Sequence, residues 1–143
     1  MLRYSKAFLA ACFIAFCTSA CGDPIADSHI KANVPACGQF SNLLARDLQS
    51  YFQAASVDYE LLRQGPTQTG ISYPKYYLWV KVRNSSGGLS SEGAVRVAAI
   101  DQARFEVTNF LPAQDIRAKP TAVEQIFPRP LVESILSRAK TAQ

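Results

Sequence analysis

Hydrophobic and polar residues alternate along most of this chain in one of two periods. From Tyr73 to Arg83, YPKYYLWVKVR, the period is two. Tyr76, Leu78, Val80 and Val82 fall on one face, and Tyr77, Trp79, Lys81 and Arg83 on the other. Aromatic and β-branched residues in that alternation predict a half-buried strand. It should begin near Lys75, because Pro74 has no amide to give to a ladder. Val57–Arg63 alternates in the same way. Ala94–Ile100 and Arg104–Leu111 do so again on either side of Asp101-Gln102-Ala103, which predicts a hairpin. Val95, Val97 and Ala99 share a face there, and Phe105 and Val107 form another inward row.

Ahead of the strands the period lengthens. Phe40, Leu44, Leu48, Tyr51, Phe52 and Ala55 recur at three- and four-residue steps, predicting an amphipathic helix from an N-cap at Ser41 to about Ala55. Beyond Pro112, Pro120 opens a short helix through Phe127 and Pro130 a second. In the latter, Leu131, Val132, Ile135, Leu136 and Ala139 line one side, and Arg138 and Lys140 suit its negative end. Turn-rich Gln64–Gly70 and Asn84–Gly88 separate the first three strands. The expected fold is α+β: an N-terminal helix packed on a four-stranded antiparallel sheet, followed by one or two C-terminal helices. Tyr76, Leu78, Val80 and Val82 should meet Leu44, Leu48 and Phe52 of the first helix.

The front of the chain follows neither period. In Met1–Ala20, the cations Arg3 and Lys6 precede an apolar run from Ala7 to Cys17 and then the small residues Thr18, Ser19 and Ala20. That is the layout of a secretory signal peptide, and the run is about half the roughly 20 residues a spanning helix needs. Gly22–Ala36 holds two prolines and no sustained period, which predicts a tether across residues 21–37 of up to about 50 Å when extended. Residues 38–143 are then expected to form one small domain.

Cys21 has two readings. Thr18-Ser19-Ala20-Cys21 resembles the lipobox of bacterial exported lipoproteins, with Thr18 where that family prefers an aliphatic residue. The resemblance implies a diacylated Cys21 and, with Gly22 rather than an acid next, sorting to the outer membrane. Alternatively, Cys21 pairs with Cys37 in a disulfide worth about 3 kcal/mol, Cys12 and Cys17 having left with the leader. The two exclude each other, since a lipidated Cys21 has no thiol to give.

Charge narrows the function classes. The formal charge is +4, but Arg3 and Lys6 belong to the leader; thirteen cations and eleven acids remain beyond it, spread without runs. A nucleic-acid binder would show a clustered basic face. Catalytic chemistry is sparse as well. His29, the only histidine, lies in the expected tether, so neither a Ser–His–Asp site nor a metal site is expected. Gly87-Gly88 joins strands rather than opening a helix, so it is no phosphate loop, and Asp58 and Glu60 share one strand face as solvated carboxylates. No cofactor is expected, and the chain is not expected to be an enzyme.

The order of elements over Phe40–Leu111 resembles the cystatin-like and NTF2-like α+β folds. NTF2-like folds host isomerases and dehydratases with an acid inside the cone, a role for which Asp101 and Glu106 are the positions to consider. Tyr77, Trp79, Lys81 and Arg83 form the candidate partner surface, because Tyr, Trp and Arg are enriched at binding hot spots. The expected function is a lipid-anchored cell-envelope protein that binds another envelope protein as an accessory component of secretion, conjugation or surface assembly. The alternatives are a periplasmic inhibitor or immunity-type protein, or a small-ligand binder with a pocket between first helix and sheet.

Overall fold

The structure, a computed structural model, describes residues 24–143. Two helices, α1 (Pro24–Asn33) and α2 (Cys37–Phe52), lead into four strands: β1 (Ser56–Leu61), β2 (Lys75–Arg83), β3 (Leu89–Ile100) and β4 (Arg104–Pro112). Three short helices close the chain: α3 (Ala113–Ala118), α4 (Thr121–Ile126) and α5 (Arg129–Thr141). The strands form an antiparallel meander in the order β1-β2-β3-β4, the α+β arrangement expected from the alternation.

α2 lies across the first face of the sheet. Leu44 and Leu48 are fully buried against Tyr76, Leu78, Val80 and Val82 of β2, Val95, Val97 and Ala99 of β3, and Phe105 of β4, with Phe52 at the edge of the cluster. The ring of Phe40 meets those of Tyr76 and Phe105 edge-on, each at 5.0 Å. The helix begins four residues ahead of Ser41, with Ala36 as an N-cap that offers no side-chain bond. It stops at Phe52 because Gln53 turns left-handed (φ 49°) and the Ala54 amide reaches back to Gln49 O at 3.2 Å. Polar side chains tie it down: Asp47 accepts the Phe105 amide at 2.6 Å, and Arg46 donates to Ala103 O at 3.0 Å.

The second face is also covered. α3, α4 and α5 bury Tyr77, Trp79 and Ala94 under Ile116, Val123, Phe127, Leu131 and Ile135. Central β2 therefore separates two apolar layers, which explains why six of its nine residues are buried. The chain reaches this face directly from β4, since α3 starts one residue after the strand ends. α3 was absent from the sequence expectation: at six residues it is too short to show a helical period.

Close approach fixes one glycine. A Cβ on Gly93 of β3 would lie 2.2 Å from Leu111 O and 2.9 Å from the Phe110 ring, so the two strands meet at this separation only without a side chain.

The expected tether is corrected by α1. Its residues carry a weak helical pattern, and what fixes the helix is distant: Asn33, buried at its end, accepts the Asp101 amide through Oδ1 at 3.1 Å and the Gln102 amide through its own carbonyl at 2.9 Å. Its amide nitrogen donates to His29 O at 2.9 Å. These bonds meet the β3–β4 turn where Asp101 and Gln102 both adopt positive φ (51° and 57°). The primed geometry suits a right-twisted hairpin; aspartate tolerates it at the first central position, whereas Gln102 is strained at the second.

Candidate functional site

α3–α5 cover only part of the second face, and the uncovered part is a cleft of about 360 Å³. Strand register builds its floor. Asp58 of β1, Lys81 of β2 and Glu92 of β3 stand in one row across three strands, and Glu60 is opposite Trp79 in the next row. Arg138 and Thr141, from the last turns of α5, form the wall.

Each charge in the cleft has a partner. The Trp79 indole N–H donates to Glu92 Oε1 at 2.8 Å, and Lys81 Nζ lies 3.9 Å from the same oxygen. The Glu92 side chain is 8 % exposed and that of Lys81 49 %, so the acid is sunk and the cation stands at the mouth. Arg138 donates to both oxygens of Glu60, at 2.8 and 2.9 Å, and Arg83 to Asp58 at 2.8 Å. The hydrogen bond from Arg138, and then its charge, holds the Glu60 carboxyl below the ordinary glutamate range. Three acids and two cations line the cleft, and Arg83 just outside it pairs Asp58, so its charges are balanced locally. A surface so patterned does not attract one sign of charge over the other.

Tyr77 and Trp79 are thus corrected as candidate partner residues. They are 5 % and 4 % exposed, because α3–α5 fill the face that two-residue alternation marks only as outward. Tyr77 instead exchanges a hydroxyl hydrogen bond with Thr67 at 2.5 Å and meets the Phe127 ring. Lys81 and Arg83 keep their accessibility at the rim. Glu92 and Arg138 are the residues that sequence reasoning missed in this role. Glu92 lies in the first half of β3, where Leu89, Ser91 and Gly93 are too mixed to signal a strand, and Arg138 points at β1 only once the layers are stacked.

The remaining candidates disperse. Asp101 and Glu106 are exposed at the hairpin, outside the apolar layer beneath α2, so neither is an acid inside a cone. That layer, where the small-ligand alternative places a pocket, is filled by aliphatic and aromatic side chains. Cys37 is exposed at the start of α2; Cys21 and the expected leader lie outside the described residues. Among the described residues no three His, Cys, Asp or Glu gather as metal ligands, and no helix is long and apolar enough to cross a membrane. Comparison with known proteins finds no matching family model, no matching curated protein and no matching solved structure.

Proposed function

We propose that this chain is an exported, lipid-anchored envelope protein whose α+β domain binds another envelope protein at the Lys81–Glu92 cleft, as an accessory component of an assembly in that compartment. The leader and the lipobox-like stretch at Cys21 support the anchor. The cleft supports binding: its floor is fixed by the Trp79–Glu92 hydrogen bond while Lys81 stands half-exposed above it. A preorganised charged floor lets a partner dock without first ordering the site.

Two measurements test the two halves. The intact mass of the membrane-extracted protein is expected to show acyl chains on the mature N-terminus. A mass two hydrogens short of the unmodified mature chain would replace the anchor with the Cys21–Cys37 disulfide. For binding, a tagged protein is solubilised mildly and its companions are compared with those of Lys81→Glu. Loss of a companion is expected; an unchanged set removes the cleft from the account.

A further inference from the structure

The β1–β2 connection, residues 62–74, presents apolar side chains to solvent on a braced support. Ile71 is 86 % exposed at its tip, and Tyr73 is exposed two residues on. Thr67 and Lys75 exchange backbone hydrogen bonds at 2.8 and 2.9 Å, closing the base. Above it, the Ser72 amide and hydroxyl both donate to Thr69 O, at 3.1 and 2.7 Å, and the Gln68 side-chain amide donates to Gly70 O and Ser72 O. Gly70 supplies the positive φ (54°) that the tip requires. An exposed isoleucine held this way is not the side chain of a collapsed loop; its position is specified.

Its chemistry is that of a membrane interface. From Leu61 to Lys75 there is no acid, and Arg63 and Lys75 flank the tip. An aliphatic side chain, a tyrosine and flanking cations are the combination that settles at the boundary of an anionic bilayer. The position agrees. Pro74 O accepts the Ala99 amide at 2.9 Å, two residues before the turn that holds Asn33, so the loop and the end of α1 share one end of the sheet. α1 rises about 15 Å and the three steps from Cys21 to Pro24 span about 10 Å at most. An anchor at Cys21 therefore keeps that end within about 25 Å of the membrane. The charged cleft lies toward the opposite end of β2, about 20 Å further along the sheet. The acid that acts on the base of the loop is exposed Glu106, which stands in one row with Ala98 and Lys75 across the sheet and not at the tip.

We propose that the Ile71–Tyr73 tip docks onto an anionic lipid surface, fixing the orientation of the domain on the membrane. This rests on the anchored reading and adds a second point of attachment, which turns a flexible linkage into a defined pose.

The test uses the full chain, processed by the cell, carrying Cys37→Ser and an environment-sensitive fluorophore on Ile71→Cys, with the same label on Glu124→Cys as a control. Each is combined with vesicles of phosphatidylethanolamine containing one quarter phosphatidylglycerol, with and without quencher-bearing lipid. A blue shift and quenching at position 71, absent at 124, are expected. Arg63→Glu with Lys75→Gln should weaken that signal about tenfold. Equal signals at the two positions, or none at 71, overturn the proposal. So does a label at 71 that ignores lipid but shifts when a co-purifying protein is added, which would make the tip a protein contact. The intact mass of the same preparation reports the anchor separately, so failure of the anchor and failure of the tip are told apart.

Discussion

Asn33 and Asp101 stand 68 positions apart, and the side-chain carbonyl of the first accepts the amide of the second at 3.1 Å. Through this contact a helix that sequence alone would leave loose becomes part of the domain. It also satisfies the backbone of a turn in which Gln102 is held strained at positive φ. Replacing Asn33 by Ala leaves the Asp101 amide without its partner and should destabilise the fold by about 2 kcal/mol. Hydrogen exchange would register the loss locally: amides of residues 24–33 and of the turn should exchange together, ahead of the sheet. Unchanged protection of α1 would show that it is held by something else.

Trp79 is a core residue with a polar handle. Trp79→Phe keeps most of the volume but strips Glu92 of its donor, and should cost about 1 to 2 kcal/mol in urea unfolding. Trp79→Ala should cost about 4 kcal/mol by leaving a cavity between sheet and α3–α5. A binding defect in the alanine variant would therefore report unfolding; Lys81 is the position at which binding can be read without it.

Gly93→Ala should destabilise by about 3 kcal/mol, since the new methyl meets a backbone carbonyl that cannot give way without parting β3 from β4. Thermal unfolding of the purified variant measures this. Gly87→Ala, which meets no neighbour but holds φ 83°, should cost less, about 1 kcal/mol.

The Arg138–Glu60 contact should give acid sensitivity. Arg138 depresses the folded-state carboxyl pKa relative to the unfolded chain, so the contribution is present above the ordinary glutamate range and is lost as pH falls through the lower folded value. Carboxyl-carbon NMR should find Glu60 titrating below the ordinary glutamate range. In Arg138→Ala it should return to the ordinary range, and α5 should loosen from β1. An unmoved titration would show that the contact is not formed in solution.

Cys37 gives a chemical test of the two readings of Cys21. If Cys21 carries acyl chains, the exposed Cys37 should take one maleimide without prior reduction. Protection until reductant is added would instead indicate the disulfide.

Much of the fold was legible because it is written in short-range periods. The alternation over Lys75–Arg83 placed β2 to the residue, and the aliphatic rows of β2 and β3 met Leu44 and Leu48 as their spacing implied. What stayed hidden depended on distant partners. α1 takes its order from a turn 68 positions away, and the period-two pattern that put Tyr77 and Trp79 on one face had no means of saying what covered it. The cleft was half legible for the same reason: Lys81 and Arg83 stand where alternation put them, whereas Glu92 and Arg138 enter through register and layer stacking.

The two-sided burial of β2 also bears on how the protein comes into being. The meander and α2 contain everything needed to form one layer, because each strand pairs with its sequence neighbour and such local topologies assemble early. The three helices that cover Tyr77 and Trp79 lie beyond position 112 and leave the ribosome after the meander is complete. Until they arrive, a partly assembled chain presents an aromatic sheet face to its surroundings, the kind of intermediate that self-associates. Yield from the cell would then be governed less by final stability than by how fast α3–α5 close, and truncation from the C-terminus should produce aggregates where truncation from the N-terminus produces soluble, weakened protein.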